Sequence, residues 1–76
     1  MRSLVEYIAS SLVEDPDAVR VREVGRGADS KLELRVARTD LGKVIGREGR
    51  TARAMRSLLA ASGRRHNRNF ALEIVE

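Results

Sequence analysis

The sequence predicts one α+β domain of two layers, in which three helices cover one face of a three-stranded mixed sheet. Three observations lead to this prediction. Apolar residues recur at helical spacing near the N-terminus, two alternating runs flank a glycine-rich connection, and a helical segment interrupted by glycines precedes a last alternating run. At 76 residues the chain is a single domain, near the lower size limit for a purely hydrophobic core.

The first helix is predicted from apolar residues at helical spacing, namely Leu4, Val5, Ile8 and Leu12. Ser3 and Glu6 have the spacing of a capping box, which would satisfy free amides at the helix start. Asp15-Pro16 should end the helix, because the residue before a proline is disfavoured in the α region.

An antiparallel hairpin is predicted over residues 19–24 and 31–36, because both runs alternate between apolar and polar side chains. In the second run Leu32, Leu34 and Val36 share one face. Gly25 and Gly27 in the connection are interpreted as turn glycines, since the Lys-Ser/Thr of a phosphate-binding loop is missing.

Two helices and a third strand are expected in the second half of the chain. Thr39-Asp40 is predicted to cap a short helix with an apolar stripe of Leu41, Val44 and Ile45. A longer helix is expected from Arg50 to Ser62, with Gly63 as its C-cap residue and residues 63–69 as a polar loop. Alternation over residues 70–75 predicts the last strand. The resulting order is α-β-β-α-α-β, and the two intervening helices are long enough for a parallel crossover.

The basic residues are concentrated in one stretch. The chain carries 15 Lys and Arg against 11 Asp and Glu, for a net charge of +4. Residues 42–68 carry +7, whereas residues 1–41 carry −1 and residues 69–76 carry −2. Such a concentration is the electrostatic pattern expected of a phosphate-binding protein.

Composition argues against several other classes. The sequence contains no cysteine and one histidine, His66, so a disulfide, a metal site, a cofactor and a catalytic set are not expected. The longest apolar run, Leu58 to Ala61, has four residues and is far too short for a bilayer of roughly 30 Å. Glu6 interrupts the N-terminal apolar segment, so we expect no secretory signal. Because no catalytic set is suggested, we expect a protein that is not an enzyme.

The strongest functional signal is Gly46-Arg47-Glu48-Gly49, a G-x-x-G segment between two predicted helices. Glycines at both ends permit positive φ angles and the close approach of another backbone. The amides at the start of the following helix would favour a negatively charged ligand. Cationic and apolar side chains surround the segment, namely Lys43, Val44, Ile45, Arg47 and Arg50. This combination predicts a site for an extended, negatively charged chain with unstacked bases.

In this order of elements, residues 44–49 with Ala52 and Met55 resemble a KH domain of the prokaryotic, type II arrangement. The resemblance extends over essentially the whole chain. The chain is most similar to the small bacterial single-domain KH proteins of the KhpA type, in which Asp40-Leu41-Gly42, Gly49-Arg50-Thr51 and Asp15-Pro16-Asp17 are familiar segments.

The resemblance implies that the G-x-x-G loop clamps about four nucleotides of single-stranded RNA. It implies a cytoplasmic RNA chaperone or post-transcriptional regulator that acts with a second KH protein, of the KhpB (Jag) type, in control of cell wall synthesis and cell length. It also implies a homodimer, or a heterodimer with that protein. Because so small a core is marginal, burial of Met55 or Leu58 against a partner would add stability. No small-molecule substrate and no membrane are implied. The expected RNA-binding residues are Lys43, Val44, Ile45, Gly46, Arg47, Glu48, Gly49, Arg50, Arg53, Arg64 and Arg65.

Two other interpretations stay open. A helix, a glycine turn and an arginine-bearing second helix also describe a DNA-binding helix-turn-helix, although the flanking strands favour a KH domain. A protein-interaction adaptor with a KH fold would carry the same pattern, and the salt dependence of binding distinguishes it from a phosphate binder.

Overall fold

The computed structural model describes residues 1–26 and 28–75, and it contains three helices and three strands. In chain order they are α1 (Arg2–Leu12), β1 (Arg20–Arg26), β2 (Asp29–Arg35), α2 (Leu41–Ile45), α3 (Arg50–Arg65) and β3 (Asn69–Val75). Short 3₁₀ turns cover Pro16–Ala18, Arg38–Asp40 and Arg47–Gly49. The predicted order is confirmed. Gly25, predicted to be a turn glycine, is instead a residue of β1, and Gly27 lies outside the described residues.

The three strands form one mixed sheet, as predicted, and their order in the sheet is β1-β2-β3. β1 pairs antiparallel with β2, and β2 pairs parallel with β3, so β1 and β3 are the edge strands. The register places Val21, Leu34 and Ile74 side by side. Since neighbouring side chains along a strand point to opposite faces, this register separates an apolar face from a charged one.

The apolar face of the sheet forms one core with all three helices. β2 and β3 supply its sheet members, Leu32, Leu34 and Leu72. The helices supply Val5 and Ala9 from α1, Val44 from α2, and Met55 and Leu59 from α3. α2 and α3 connect β2 to β3 along the chain and pack on the same face of the sheet. This packing fixes residues 46–49, between the two helices, relative to the edge strand β3. In the described part of the chain, none of the helices is long and apolar enough to cross a membrane.

The helix-start predictions are wrong in detail. α1 begins at Arg2 with Met1 as N-cap, and within the described chain no side chain caps it, so Ser3 and Glu6 lie inside the helix rather than forming a capping box. α1 ends at Leu12, before Asp15-Pro16, because Val13 is already extended.

Asp40 precedes α2 as predicted, but its carboxylate does not cap that helix. The side chain is buried, and its two oxygens accept hydrogen bonds from the amides of Glu14 at 3.2 Å and Asp15 at 3.1 Å. Asp40 therefore links the segment that leaves α1 to the start of α2.

Gly63 is not a C-cap residue, because α3 continues to Arg65 and His66 caps it. Gly63 is buried, and a Cβ at this position would overlap the Arg68 carbonyl oxygen and lie 3.2 Å from Cδ2 of Phe70. The chain reverses at Asn67, which has a φ of 55°. The predicted seven-residue polar loop is therefore a short turn between α3 and β3.

Candidate nucleic-acid interface

The G-x-x-G segment forms a sharp turn between α2 and α3. Gly46 and Gly49 have φ angles of 79° and 75°, and Glu48 has a φ of 57°. A left-handed glutamate is uncommon, and such conformations are typically found at functional sites. The turn therefore breaks the helical path between residues 45 and 50, as the sequence predicts.

The two glycines of this turn have different surroundings. A Cβ at Gly46 would overlap the Thr51 hydroxyl and lie 2.7 Å from the Thr51 nitrogen. A Cβ at Gly49 would meet no described atom within 4 Å. Gly46 is therefore required to close the turn on α3, whereas Gly49 leaves the backbone open to an approaching chain.

Arginines from α3 hold the turn in place. The Arg53 Nη2 atom donates a hydrogen bond of 2.9 Å to the Glu48 carbonyl oxygen, which fixes the left-handed residue. The Glu48 carboxylate lies 3.8 Å from Nη2 of Arg50. This exposed pair offsets part of the positive charge at the turn, while Arg47 stays exposed beside it.

An open groove of about 510 Å³ extends from the turn to β3. Its apolar lining consists of Ile45, Ala52, Leu72 and Ile74. Arg53 and Arg56 add positive charge, and Glu73 lies at the β3 side. Lys31 binds the Glu73 carboxylate at 3.0 Å, and this hydrogen bond raises the pKa of the lysine. The groove thus combines an apolar floor with a cationic wall.

The edge of β3 supplies backbone groups to the groove. Nε and Nη2 of Arg56 both donate hydrogen bonds of 3.4 Å to the Leu72 carbonyl oxygen of β3. An edge strand presents unpaired amides and carbonyls that can form hydrogen bonds with a ligand. Base edges placed in this groove would meet these groups.

The structure brings most of the predicted residues together. Ile45, Gly49 and Arg53 line the groove. Gly46, Arg47, Glu48 and Arg50 form the turn and the first residue of α3 at its rim.

Two predicted residues of α2 are occupied by the fold itself. Val44 is 0% exposed and packs in the core, so the prediction that its side chain receives bases is wrong. Nζ of Lys43 lies 3.4 Å from carboxylate oxygens of both Asp40 and Glu14.

The environment of Asp40 stabilises its charged form. Burial disfavours the carboxylate, but hydrogen bonds from the amides of Glu14 and Asp15, together with Lys43, outweigh this effect and lower the pKa of Asp40. The hydrogen bond to Asp40 in turn raises the pKa of Lys43, against the effect of desolvation. Lys43 therefore links α2 to the end of α1 and contributes less to the groove than the sequence predicts.

Arg64 and Arg65 are exposed in the last turn of α3, away from the G-x-x-G turn. The 14-residue separation from Arg50 corresponds to about 21 Å along the helix axis, at 1.5 Å per residue. Neither arginine lines the groove beside the G-x-x-G turn. The sequence predicts both in a loop, but α3 continues to Arg65 and holds them at its far end.

Sequence reasoning missed Arg56, Leu72 and Ile74 as groove residues. A signal for Arg56 is present, because Arg50, Arg53 and Arg56 recur every three residues along α3. The β3 residues carry no comparable signal, since their alternation only predicts a strand.

The KH-domain geometry agrees with comparisons to known proteins. The profile of the KhpA/KhpB KH domain matches residues 2–74. The RNA-binding protein KhpA of Halalkalibacterium halodurans is 46% identical over 76 residues, covering all of both chains. The protein of that name from Clostridium acetobutylicum is 45% identical over 99% of this chain and 100% of its own. The one from Aquifex aeolicus is 45% identical over 100% and 96%, respectively.

No solved structure matches the chain significantly. The family profile nevertheless covers nearly the whole chain, and these relatives match it from end to end. The chain therefore belongs to the KhpA/KhpB family of KH domains.

Proposed function

We propose that this protein binds single-stranded RNA and clamps about four nucleotides between the G-x-x-G turn and the edge of β3. The observation that carries the proposal is the open backbone at Gly49 beside a groove with an apolar floor and cationic wall. The relatives named RNA-binding protein KhpA, which match the chain from end to end, support the same assignment.

Each part of the groove has a chemical role in this proposal. The sugar-phosphate backbone passes over the turn, where Arg47 and the first amides of α3 attract phosphate. Unstacked bases lie on Ile45 and Ile74. Base edges form hydrogen bonds with Arg56 and with the exposed backbone of β3, so no aromatic stacking platform is needed.

The decisive experiment is the double substitution Arg47→Asp with Glu48→Asp. Binding of a fluorescent single-stranded RNA should fall at least tenfold, because the turn then presents two carboxylates to the phosphates. Circular dichroism should be unchanged, since aspartate tolerates the left-handed conformation of residue 48. Wild-type protein should also bind single-stranded RNA more tightly than duplex DNA.

A matched control is Arg2→Asp with Glu6→Asp, which makes the same change in net charge on α1. This control should retain RNA affinity. Full affinity in the Arg47/Glu48 variant, or equal losses in both variants, would show that the turn is not the clamp.

A wider role rests on the family. We propose a cytoplasmic RNA chaperone or post-transcriptional regulator that acts with a KhpB-type KH protein in control of cell wall synthesis and cell length. The shared KhpA/KhpB profile supports this proposal. Deletion of the gene should alter cell length, and the wild-type protein, but not the Arg47/Glu48 variant, should restore it.

Self-association, or pairing with another KH protein, is proposed through the exposed side of α3. Leu58 is 49% exposed although it lies on a helix with an otherwise buried apolar stripe. Met55 is fully buried within the chain, so only Leu58 of the two predicted residues is available to a partner. Leu58→Glu should convert a dimer to a monomer in light scattering without unfolding the chain. An unchanged mass would contradict this interface.

The two alternatives receive less support. α2 has only five residues, which is short for the first helix of a helix-turn-helix. A protein adaptor would bind its partner with little salt dependence. For single-stranded RNA, the logarithm of the association constant should fall by roughly 0.7 per phosphate contact for each unit increase in the logarithm of the salt concentration.

A further inference from the structure

The two arginines that line the groove beside the G-x-x-G turn are held at opposite sides of it. Arg53 donates a hydrogen bond of 2.9 Å to the Glu48 carbonyl oxygen, at the turn. Arg56 donates through Nε and Nη2 to the Leu72 carbonyl oxygen of β3, at 3.4 Å from each nitrogen. It lies six residues after Arg50, about 9 Å further along α3 at 1.5 Å per residue. Arg56 is therefore on the side of the groove where the bases lie in the proposed complex.

The Leu72 carbonyl oxygen belongs to the free edge of β3. The Asn69 amide donates a hydrogen bond of 2.6 Å to the Ala28 carbonyl oxygen, in the direction of β2. The backbone groups of successive strand residues alternate in direction, and β2 and β3 pair one to one from Asn69 to Val75. Leu72 therefore directs its amide and carbonyl away from β2. Because Arg56 occupies this carbonyl, a base at this position meets a hydrogen-bond donor in place of the backbone acceptor.

Arg56 keeps two parallel donors for a ligand. A guanidinium group has five N–H donors, and Leu72 accepts from only two of them, on Nε and Nη2. The outer edge, formed by Nη1 and Nη2, remains available. Within the described residues, Arg56 makes no other hydrogen bond and no ion pair. Glu73, the carboxylate of this groove, is bound by Lys31 at 3.0 Å and so does not neutralise it.

Two parallel donors fit a base that has two adjacent acceptors. Arginine binds guanine in this way, through O6 and N7. Cytosine offers O2 and N3 side by side on its Watson–Crick edge. In adenine, N1 and N7 are each next to the amino group, and in uracil an N–H group separates O2 from O4. The outer edge of the Arg56 guanidinium therefore distinguishes cytosine and guanine from adenine and uracil.

We propose that Arg56 determines the base preference of the groove, and that it selects cytosine or guanine through their adjacent acceptors. This inference rests on the proposed function, since it takes the turn to hold the sugar-phosphate backbone and β3 to face the bases. It names the preferred ligand as single-stranded RNA with cytosine or guanine at the nucleotide next to β3.

The test is Arg56→Lys, which keeps the positive charge but replaces two parallel donors with one ammonium group. Fluorescence anisotropy measures the binding of single-stranded pentamers of cytidine, adenosine and uridine, and of the pentamer UGUGU. Wild-type protein should bind the cytidine pentamer, UGUGU or both about tenfold more tightly than the other two. Arg56→Lys should weaken the preferred binding about tenfold and change the binding of the adenosine and uridine pentamers less than twofold. Its salt dependence should be unchanged, because no charge is lost.

Two base analogues identify which acceptor pair is bound. 7-Deazaguanosine lacks N7 and 3-deazacytidine lacks N3, so each analogue removes one pair without altering the phosphates. Replacing the preferred base by its analogue should weaken wild-type binding about tenfold and have little effect on Arg56→Lys. An analogue that binds wild-type protein as tightly as the natural base would contradict selection through adjacent acceptors.

The matched control is Arg64→Lys, the same substitution on the same helix but outside the groove. It should retain both the affinity and the base preference. Equal wild-type affinity for all four pentamers, or a preference that persists in Arg56→Lys, would overturn the role of Arg56. A similar loss for all four pentamers in Arg56→Lys would also overturn it, because Arg56 would then contact phosphate or support the fold.

Failure of the proposed clamp would give a different result. Arg47→Asp/Glu48→Asp should weaken the binding of all four pentamers by a similar factor, because they have the same phosphates. If this variant binds all four as wild-type protein does, the clamp is wrong, whatever the result for Arg56→Lys. If it loses binding but Arg56→Lys keeps the base preference, the clamp stands and the role of Arg56 is wrong.

Discussion

The two ends of α3 use glycine for opposite purposes. At the N-terminal end, Gly49 has a positive φ and open space on its Cβ side. Near the C-terminal end, Gly63 has helical geometry, and the backbone of Arg68 occupies the space that a Cβ would need. The first glycine leaves room for a ligand, whereas the second lets the chain return closely enough to start β3. The residue type alone does not distinguish a binding position from a packing position.

The side chains around the two ends differ in the same way. Arg68 donates hydrogen bonds to Glu23 at 3.0 Å and Ser30 at 2.7 Å, and its guanidinium lies 4.5 Å from the centre of the Phe70 ring. These contacts bind the C-terminal end to the β1–β2 hairpin. At the other end, Arg53 donates its hydrogen bond to the Glu48 carbonyl oxygen of the adjacent turn. One end is therefore anchored in the fold and the other is left accessible.

The largest expected effect is on stability, at the anchored end. Gly63→Val should lower the free energy of unfolding by about 3 kcal/mol or more, because the side chain overlaps the Arg68 carbonyl and crowds Phe70. Thermal unfolding followed by circular dichroism measures the loss. Ala61→Val, an exposed substitution on the same helix, should cost only about 0.5 kcal/mol. Similar losses in the two variants would refute the packing role of Gly63.

The glycines of the turn should separate binding from stability. Gly49→Asn should cost about 1 kcal/mol of stability or less, because asparagine tolerates positive φ, yet it should weaken RNA binding about tenfold by blocking the approach. Gly49→Val should also harm binding more than stability, although a β-branched residue adds strain at this φ.

Gly46→Asn is the paired comparison, measured by the same anisotropy and unfolding experiments. It should cost more stability than Gly49→Asn, because its side chain meets Thr51. If Gly49→Asn destabilises the chain more and leaves RNA affinity intact, the two roles have been assigned the wrong way round.

A smaller, pH-dependent effect is expected at the segment that leads into the turn. The pKa of Asp40 is lowered below its ordinary value of 3.8, so its carboxylate contributes stability above that pH and loses the contribution as pH falls through the lower, folded value. Asp40→Asn should unfold at lower temperature at pH 7, and its unfolding temperature should depend less on pH below 4 than that of the wild type. Parallel pH profiles would contradict the role of this carboxylate.

The smallest effect is expected at the arginines of the anchored end. Arg64→Gln/Arg65→Gln should change the affinity for a 5-nucleotide RNA less than twofold, because the pair lies about 21 Å from Arg50 along α3. Arg47→Gln/Arg50→Gln removes the same charge beside the turn and should weaken binding more. Equal losses in the two variants would indicate a general charge effect.

Local patterns of the sequence determined the secondary structure and the position of the turn. Alternation is visible along each strand because a half-buried sheet imposes a period of two. The connection between β2 and β3 is long enough to permit their parallel pairing, which the structure shows. Gly46 and Gly49 were identifiable because they interrupt an apolar helical pattern at a short, fixed spacing. These signals are contained within a few neighbouring residues.

Only the tertiary structure decided what several of these residues contact. The Asp40 carboxylate binds amides 25 and 26 residues away instead of capping α2, and Arg56 meets the Leu72 carbonyl 16 residues further along the chain. Val44 and Ile45 are adjacent and both apolar, but the rotation of α2 against the core buries the first and exposes the second. Such contacts depend on how elements that are distant in the sequence pack against each other. Side-chain type and local spacing do not predict that packing.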